Sequence, residues 1–160
     1  MINLLPEPKK IRDDNTLTNA FHQIDFTTSN ENINVEQLVE LAKLRFWNYQ
    51  DIDFIKGKEL TGDGIKISVS NTLAGVETEN DELFRSQGYY LLIQPDEILL
   101  KYENKAGVIN ALTSIKQLLK VNETGEGYVL PCCEIIDWPS IPVRAIAPTF
   151  SWYAGYGRIG

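Results

Sequence analysis

The stretch GYYLLIQPDEILLKYENKAGVINALTSIKQLL, residues 88–119, changes its hydrophobic period half-way along. Its first half contains two β-prone runs, GYYLLIQ and EILLKY, which are separated by Pro95 and Asp96. Two such runs on either side of a short turn predict a β-hairpin. Because apolar residues are nearly continuous in both runs, we expect the hairpin at the centre of a sheet, with at least part of both faces covered.

The second half of this stretch predicts a helix directly after the hairpin. Its apolar residues recur with the 3.6-residue period of one helical face, and they are Val108, Ile109, Leu112, Ile115 and Leu119. Asn104 is placed to cap the first turn, while Lys116 and Lys120 favour the carboxyl end through the helix dipole.

Upstream of the hairpin, the sequence predicts a second helix and two further strands. Residues 35–49 follow the helical period, and Asn34 with Gln37 has the spacing of a capping box. Alternating apolar residues around Ile67 predict a half-buried strand. The first twenty residues predict an edge strand with a turn at 13–15, whereas 51–64 and 71–87 are expected to be exposed connections.

Downstream of the helix, the run YVLPCCEII, residues 128–136, predicts a last strand. Together these elements predict an α+β domain with a mostly antiparallel sheet over residues 1–136. The next six residues, DWPSIP at 137–142, contain two prolines and are typical of a linker. The remaining residues 143–160 begin with another strand pattern and are too few for a domain, so we expect them to be the start of a neighbouring domain in a longer protein.

The overall charge narrows the classes of partner. A formal net charge of −7 at pH 7 argues against nucleic acid, because a protein that binds the phosphate backbone needs a basic surface. It argues equally against binding to an anionic membrane, and no apolar run approaches the roughly 20 residues that span a bilayer. The opening MINLLPEPKK lacks the features of a signal peptide. The sequence therefore favours a cytoplasmic protein, with a secreted parent protein as the alternative.

Candidate catalytic and cofactor motifs lack the context that their chemistry needs. GYGRIG, residues 155–160, matches the dinucleotide-binding pattern, but no helix pattern follows to bind phosphates at its N-terminus. His22 is the only histidine and no motif surrounds it, so we expect a solvent-facing side chain. The adjacent Cys132 and Cys133 predict a reduced pair within a strand. We therefore expect no catalytic residue, no cofactor and no metal.

Candidate functional residues are concentrated near the C-terminus. Asp137 is followed by Trp138 and Pro139, and a bidentate, charge-assisted pairing of Asp137 with Arg144 would hold the linker in a structural role.

The tail FSWYAGYGR, residues 150–158, brings Trp152 and Tyr153 close to Arg158. Aromatic planes beside a cation suit sugar rings, so these three residues are candidates for substrate binding. The tail therefore permits a free-standing carbohydrate-binding or protein-interaction module. The alternative is that the same aromatic residues belong to the core of a longer protein, since large apolar patches on monomers usually mark an interface.

From Gly88 onward the sequence resembles the small N-terminal domain of glycoside hydrolase family 20. In the β-N-acetylhexosaminidases of that family, a strand pair ends in a Pro-Asp-Gly-Ile pattern, a helix carries an Ala-Gly pair, and an Asp-x-Pro junction followed by Arg leads into the catalytic barrel. Here residues 95–98, residues 106–107, and Asp137, Pro139 and Arg144 occupy those places. The opening LLPEPKKI, residues 4–11, is similar to the usual start of the family.

This resemblance implies a zincin-like sheet with two helices on one face, packed beside a (β/α)₈ barrel, a small domain that family 84 shares. It implies that catalysis belongs to the barrel, through a retaining route in which the acetamido group of the sugar attacks, with acid/base residues on later barrel strands. Residues 1–136 would then be a non-catalytic accessory domain. Its partners would be the barrel, which this chain lacks, and a glycan substrate bound by the parent enzyme.

The resemblance breaks in the predicted first barrel strand. There the family carries an Asp and, three residues further, an Arg that grips the terminal sugar, whereas this chain has Thr149 and Trp152. Threonine cannot accept hydrogen bonds as a carboxylate does, and tryptophan cannot donate a bidentate fork. The departure predicts either a different glycoside preference or a parent protein without activity.

Overall fold

The computed structural model of the 160-residue chain describes residues 2, 4–49, 51–57, 64–78 and 81–141. Within these ranges the elements are, in chain order, β1 (Lys10–Leu17), β2 (Gln23–Thr27), α1 (Val35–Arg45), β3 (Asp53–Lys56), β4 (Gly64–Ser70), α2 (Asp81–Gln87), β5 (Tyr89–Ile93), β6 (Glu97–Tyr102), α3 (Lys105–Leu118), β7 (Lys120–Val121), β8 (Tyr128–Val129) and β9 (Pro131–Asp137). Seven strands form one sheet in the order β1-β9-β5-β6-β4-β2-β3, and β7 pairs with β8 in a small second sheet.

Strand pairing confirms the α+β class and the mostly antiparallel arrangement, since four of the seven pairs in the described residues are antiparallel. β1, β9, β5 and β6 form the antiparallel part of the large sheet, and β4, β2 and β3 continue it in parallel beyond β6. The β5–β6 hairpin occupies the predicted central place, with Tyr89 opposite Tyr102 and Ile93 opposite Ile98. β2 and β3 can pair in parallel because α1 supplies the crossover connection that parallel neighbours need.

The main core lies between one face of the sheet and the helices α1 and α3. Alternate residues of the central strands are buried on this face, as the period of two requires, and among them Leu91, Ile93, Ile98 and Leu100 are fully buried. The predicted stripe of α3 packs on them, with Val108, Leu112, Ile115 and Leu119 buried and Ile109 half-buried.

Helix α3 approaches the start of β5 closely at a pair of glycines. A Cβ atom on Gly107 would lie 2.2 Å from the carbonyl oxygen of Gly88. Only glycine at position 107 therefore allows the first turn of α3 to approach the start of β5 this closely.

The helix ends differ from prediction in two respects. Asn34 caps α1 as predicted, accepting a hydrogen bond from the backbone N–H of Gln37 at 3.1 Å, but α1 ends at Arg45 rather than at residue 49. Asn104 precedes α3 without a side-chain capping bond. Its Nδ2 donates instead to the carbonyl oxygen of Arg85 at 2.8 Å, because the C-terminal turn of α2 lies within reach and offers an acceptor.

Three predicted loops or turns contain regular structure. β3 lies inside the predicted 51–64 connection, and α2 lies inside the predicted exposed connection 71–87, where Phe84 is only 2% exposed. β2 lies in a segment, residues 21–34, for which the sequence predicted no element. The predicted edge strand is confirmed as β1, but the turn at 13–15 is an irregularity within this strand, where Asn15 adopts a φ of 57°. These elements are short, so tertiary contacts rather than local periodicity define them.

A second, smaller apolar cluster lies beyond the main core. Leu73, Phe84 and Trp138 form its buried centre, and Tyr90 and Ile136 pack against it. Tyr90 and Ile136 alternate along their strands with residues of the main core, so they point to the opposite face of the sheet. The hairpin is therefore partly covered on both faces, as predicted.

Candidate functional site at the end of strand β9

A cavity of about 160 Å³ lies beside the end of β9. We call it the junction cavity. Its walls come from the N-terminal segment, from Tyr89 of β5, from α3 and from the exit of β9 at 137–140. The polar side chains that line it are Glu7, Lys9, Tyr89, Asn110, Thr113, Ser114, Gln117, Asp137 and Ser140.

A hydrogen-bonded chain of three side chains forms one wall of the junction cavity. The hydroxyl oxygens of Tyr89 and Ser114 are 2.6 Å apart, and both side chains are buried. Tyr89 also hydrogen-bonds the carboxylate of Asp137, its direct partner in the β5–β9 register. Because a carboxylate can only accept, Tyr89 donates to Asp137 and accepts from Ser114.

Tyr89 stays protonated in this arrangement. Burial raises the pKa of the Tyr89 hydroxyl, and the charge of Asp137 and its hydrogen bond raise it further, although the Ser114 bond acts in the opposite direction. The phenol is therefore a fixed donor at neutral pH, and it holds Asp137 in one position beside α3.

The N-terminal segment, residues 4–9, closes another wall, and we call it the N-terminal strap. Leu5 and Gln117 exchange two hydrogen bonds: the Leu5 N–H donates to Oε1 at 2.9 Å and Nε2 donates to the Leu5 carbonyl at 3.1 Å. The Lys9 N–H donates to Oδ1 of Asp137 at 3.2 Å, and the Lys9 ammonium donates to the Ser140 hydroxyl at 2.5 Å. The strap thus ties α3 to the exit of β9.

Trp138 fixes the other side of the exit. It is 8% exposed, and its ring lies edge-on to Phe84 with 5.6 Å between centroids. Such aromatic contacts add stability beyond the burial of area. Asp137 and Trp138 thus anchor the end of β9 to opposite faces of the sheet.

The structure places only part of the predicted site. Asp137 and Pro139 both line the junction cavity, whereas Arg144, Thr149, Trp152, Tyr153 and Arg158 lie outside the described residues. His22 is exposed, as expected. Within the described ranges no group of three His, Cys, Asp or Glu side chains could hold a metal ion, and no helix is long and apolar enough to cross a bilayer.

Sequence patterns did not reveal Tyr89, Ser114 or Gln117 as members of the site. A weak signal existed, because Ser114 interrupts the buried face of α3 and Tyr89 begins a buried strand, so both needed polar partners. Their partners lie 25 to 112 residues away along the chain, beyond the reach of any local pattern.

The chemistry of the junction cavity is that of an anchor. Ser114 is bonded to a neutral phenol, not to a base that could activate it. The lining groups join the strap, β5, α3 and residues 137–140, and so they hold the end of β9 in place.

Two solved structures share this fold over most of the chain. An exo-β-N-acetylglucosaminidase from Vibrio harveyi matches with a TM-score of 0.58 and 21% identity, covering 86% of this chain and 19% of that chain. The β-N-acetylhexosaminidase from Bacteroides fragilis matches with a TM-score of 0.56 and 20% identity, covering 86% of this chain and 25% of that chain. The α+β domain is thus of the type found within these glycosidases.

The family follows from the sequence comparison. The family model described as "Glycosyl hydrolase family 20, domain 2" matches residues 1–138. The chain belongs to glycosyl hydrolase family 20, and the resemblance seen in its sequence is confirmed. Beta-hexosaminidase subunit A2 of Dictyostelium discoideum is 21% identical over 145 residues, which are 91% of this chain but 26% of that protein, so the chain spans about a quarter of this relative. In family 20 enzymes this domain belongs with a catalytic barrel.

Proposed function

We propose that residues 1–136 are the non-catalytic accessory domain of a β-N-acetylhexosaminidase-like glycosidase and that residues 143–160 begin its catalytic barrel. The observation that carries this proposal is the anchored exit of β9. Asp137 is held by Tyr89 and by the Lys9 N–H. The next residue, Trp138, is buried. A domain that orients a neighbour needs a fixed junction of this kind.

Exposed apolar side chains at the C-terminal end of α1 favour the presence of a neighbouring domain that covers them. Leu44, in the last turn of α1, and Trp47, just beyond its end, are each 73% exposed. The ammonium of Lys116 on α3 lies 5.9 Å from the centroid of the Trp47 ring. We propose that the barrel covers this part of the helical layer, which would remove both apolar side chains from water.

The role is tested in a protein that continues beyond Gly160 into the barrel. The activity followed is hydrolysis of a chromogenic glycoside that this protein accepts, and an N-acetyl-β-glucosaminide is the first substrate tried. A form without residues 1–136 should lose its activity at a lower temperature, because the barrel loses its covering domain. Equal thermal inactivation of both forms, at equal specific activity, would contradict a supporting role.

The substrate preference is a separate part of the proposal. Thr149 and Trp152 stand where the family carries the Asp and Arg that grip the terminal sugar. We propose that the parent enzyme prefers another glycoside or has little activity. In a panel of chromogenic glycosides, Thr149→Asp with Trp152→Arg should raise N-acetylglucosaminide hydrolysis relative to the other sugars, and an unchanged profile would refute this assignment.

An alternative function rests on the aromatic tail. Trp152, Tyr153 and Arg158 could bind a sugar directly, so that the chain acts as a carbohydrate-binding or protein-interaction module. Titration of the chain with N-acetylglucosamine oligomers, followed by tryptophan fluorescence, separates the two functions. Saturable quenching that Trp152→Ala abolishes would favour the module, and a flat titration would favour the accessory domain.

A further inference from the structure

The parallel part of the sheet contains a point where the chain reverses its direction across the strands. From β2 the chain passes through α1 to β3 on one side of β2, and it then returns to β4 on the other side. All three strands are parallel. In open sheets of parallel strands such a reversal is a topological switch point, and ligands bind outside the carboxyl ends of the two strands that flank it. The topology therefore favours a binding site at the ends of β2 and β4.

The chain segments that follow β2 and β4 lie on opposite faces of the sheet. α1, which follows β2, packs in the main core through Leu38 and Ala42. Leu73, just after β4, and Phe84 of α2 belong to the second apolar cluster on the other face. Between these diverging segments, a groove of about 350 Å³ lies at the ends of β2 and β4. We call it the switch crevice, and its size lies within the range of about 300–1,000 Å³ that is typical of small-ligand sites.

Hydroxyl groups dominate the lining of the switch crevice. They belong to Thr27, Thr28, Ser29, Ser68 and Ser70. Thr27, Ser68 and Ser70 alternate along their strands with residues of the main core, so they point to the face opposite α1 and α3. The Thr28 hydroxyl is fixed, because it donates to the carbonyl oxygen of Val69 at 2.9 Å and accepts from the Asn30 N–H at 3.1 Å.

Two of these hydroxyls are available to a ligand. Among the residues that the structure describes, the side chains of Ser29 and Ser70 have no hydrogen-bond partner. The hydroxyl oxygens of Thr27 and Ser68 are 3.5 Å apart, which is long for a bond between hydroxyls. Water hydrates such groups, and a ligand that displaces this water without loss must reproduce its hydrogen bonds.

The charges beside the switch crevice disfavour an anionic ligand. Lys66 lines the crevice, but its ammonium lies 3.5 Å from Oε1 of Glu97. The carboxylate of Asp25, which neighbours Lys66 in the β2–β4 register, also interacts with this ammonium. A phosphate would therefore compete with two carboxylates for one cation, whereas a neutral ligand needs no cation at all.

We propose that the switch crevice binds a neutral oligosaccharide. A hydroxyl both donates and accepts hydrogen bonds, so a lining of hydroxyls matches the many hydroxyls of a sugar. Leu99 is half-buried and lies opposite Ser68 in the β4–β6 register, where it offers an apolar surface to the C–H face of a sugar ring. The crevice lies on the sheet face opposite α1 and α3, so a barrel that covers the helical layer leaves it accessible. This binding goes beyond the accessory role and does not require it.

The test is a titration of the ¹⁵N-labelled 160-residue chain with chitotetraose, cellotetraose and maltotetraose. We expect at least one of these sugars to shift the backbone amide signals of Thr28, Ser29 and Ser70 saturably and to leave that of Ser114 in α3 unchanged. Ser29→Ala combined with Ser70→Ala should weaken this binding by about tenfold or more, because two hydrogen bonds to the sugar are lost. Ser86→Ala is the control, since this exposed serine of α2 lies outside the crevice and its loss should leave the affinity unchanged.

Three results would overturn the proposal. The first is that none of the three sugars shifts the crevice amides, and the second is that inorganic phosphate shifts them while the sugars do not. The third is binding that Trp152→Ala abolishes and that the Ser29→Ala, Ser70→Ala variant retains, which would assign the sugar to the aromatic tail. Each result would leave the accessory-domain function standing, because its test uses the longer protein and the removal of residues 1–136.

Discussion

Tyr89 and Ser114 are joined by a buried hydrogen bond of 2.6 Å between their hydroxyl oxygens. The bond connects the first residue of β5 to the middle of α3, and Tyr89 passes the connection on to Asp137 at the end of β9. Three elements that are distant in sequence therefore meet at the end of β9.

Removal of the Tyr89 hydroxyl should destabilise the domain. Tyr89→Phe leaves the buried Ser114 hydroxyl and the Asp137 carboxylate without their shared partner, and we expect a loss of about 1–3 kcal/mol in the free energy of unfolding. Urea unfolding followed by circular dichroism measures it. Replacing both hydroxyls, in Tyr89→Phe with Ser114→Ala, should recover part of the loss, because no buried hydroxyl then lacks a partner.

Tyr90→Phe is the matched control for this prediction. The Tyr90 hydroxyl donates to Glu134 at 2.9 Å on the opposite face, where both side chains are half-buried. Water can replace that bond, so we expect a loss below about 0.5 kcal/mol, as for most surface substitutions. Equal losses of unfolding free energy for Tyr89→Phe and Tyr90→Phe would show that the bonds of Tyr89 to Ser114 and Asp137 stabilise the fold no more than an exposed hydrogen bond does.

Gly107→Ala should destabilise the chain despite the helical preference for alanine. The added Cβ would meet the carbonyl oxygen of Gly88 at 2.2 Å, and backbone atoms on both sides must then move. We expect this overpacking to reduce the free energy of unfolding by about 2 kcal/mol after the helix-propensity gain is included.

The control for Gly107→Ala is a glycine with open space around it. Gly75 has a φ of +79° and no atom within 4 Å of an added Cβ, so Gly75→Ala introduces backbone strain of about 1 kcal/mol and no clash. If Gly107→Ala had a higher thermal unfolding midpoint than the unmodified chain, the close approach of α3 to β5 would be refuted.

The two cysteines should react slowly in the folded chain. Cys132 and Cys133 lie in β9 and are 2% and 0% exposed, with free thiols. Burial, with the nearby charge of Asp13, raises the pKa of the Cys133 thiol to about 12, so the reactive thiolate is scarce at pH 8. In concentrated guanidinium chloride, which unfolds the chain, a disulfide reagent should label both thiols rapidly. In the folded chain the same reagent should label them far more slowly. Rapid labelling of two thiols in the native chain would contradict the burial of β9.

Asp25 gives a prediction for pH. It is 2% exposed, and burial raises the pKa of its carboxyl above the ordinary value of 3.8, although the Gly57 N–H and Lys66 oppose this shift. The folded state thus favours the protonated carboxyl, so this group stabilises the fold most below pH 3.8 and progressively less as pH rises through the folded pKa.

Asp25→Asn should remove this loss of stability. Asparagine keeps an oxygen for the Gly57 N–H, which donates to Oδ1 at 2.6 Å. The unfolding free energy of Asp25→Asn relative to the unmodified chain should therefore increase with pH above about 4 and then level off. Urea unfolding at a series of pH values measures the difference, and a difference that stays constant or decreases with pH would contradict the prediction.

Long periodic segments were predictable and short ones were not. The β5–β6 hairpin and α3 carry their patterns over several periods, so the centre of the sheet followed from residues 88–119 alone. α2 spans seven residues with Phe84 as its buried side chain, and β2 places the charged Asp25 in a buried position, so neither displays a recognisable period.

The residues of the junction cavity also divide into those that the sequence predicted and those that it did not. Asp137 and Pro139 stand out because their neighbours in sequence mark them, whereas Tyr89, Ser114 and Gln117 gain their roles only when α3 lies beside the end of β9. Asn104 illustrates the limit for caps: its sequence position is right, but its side chain donates through Nδ2 to the carbonyl oxygen of Arg85 and its Oδ1 makes no capping bond to α3.

The central claim is that this family 20 domain supports a glycosidase and performs no hydrolysis itself. The most direct measurement is the release of nitrophenol from a nitrophenyl N-acetyl-β-glucosaminide by the purified 160-residue chain at high concentration. We predict a rate equal to that of buffer alone. Turnover above buffer that persists through further purification and that Tyr89→Phe or Asp137→Asn abolishes would contradict the account, because it would place catalysis within the accessory domain.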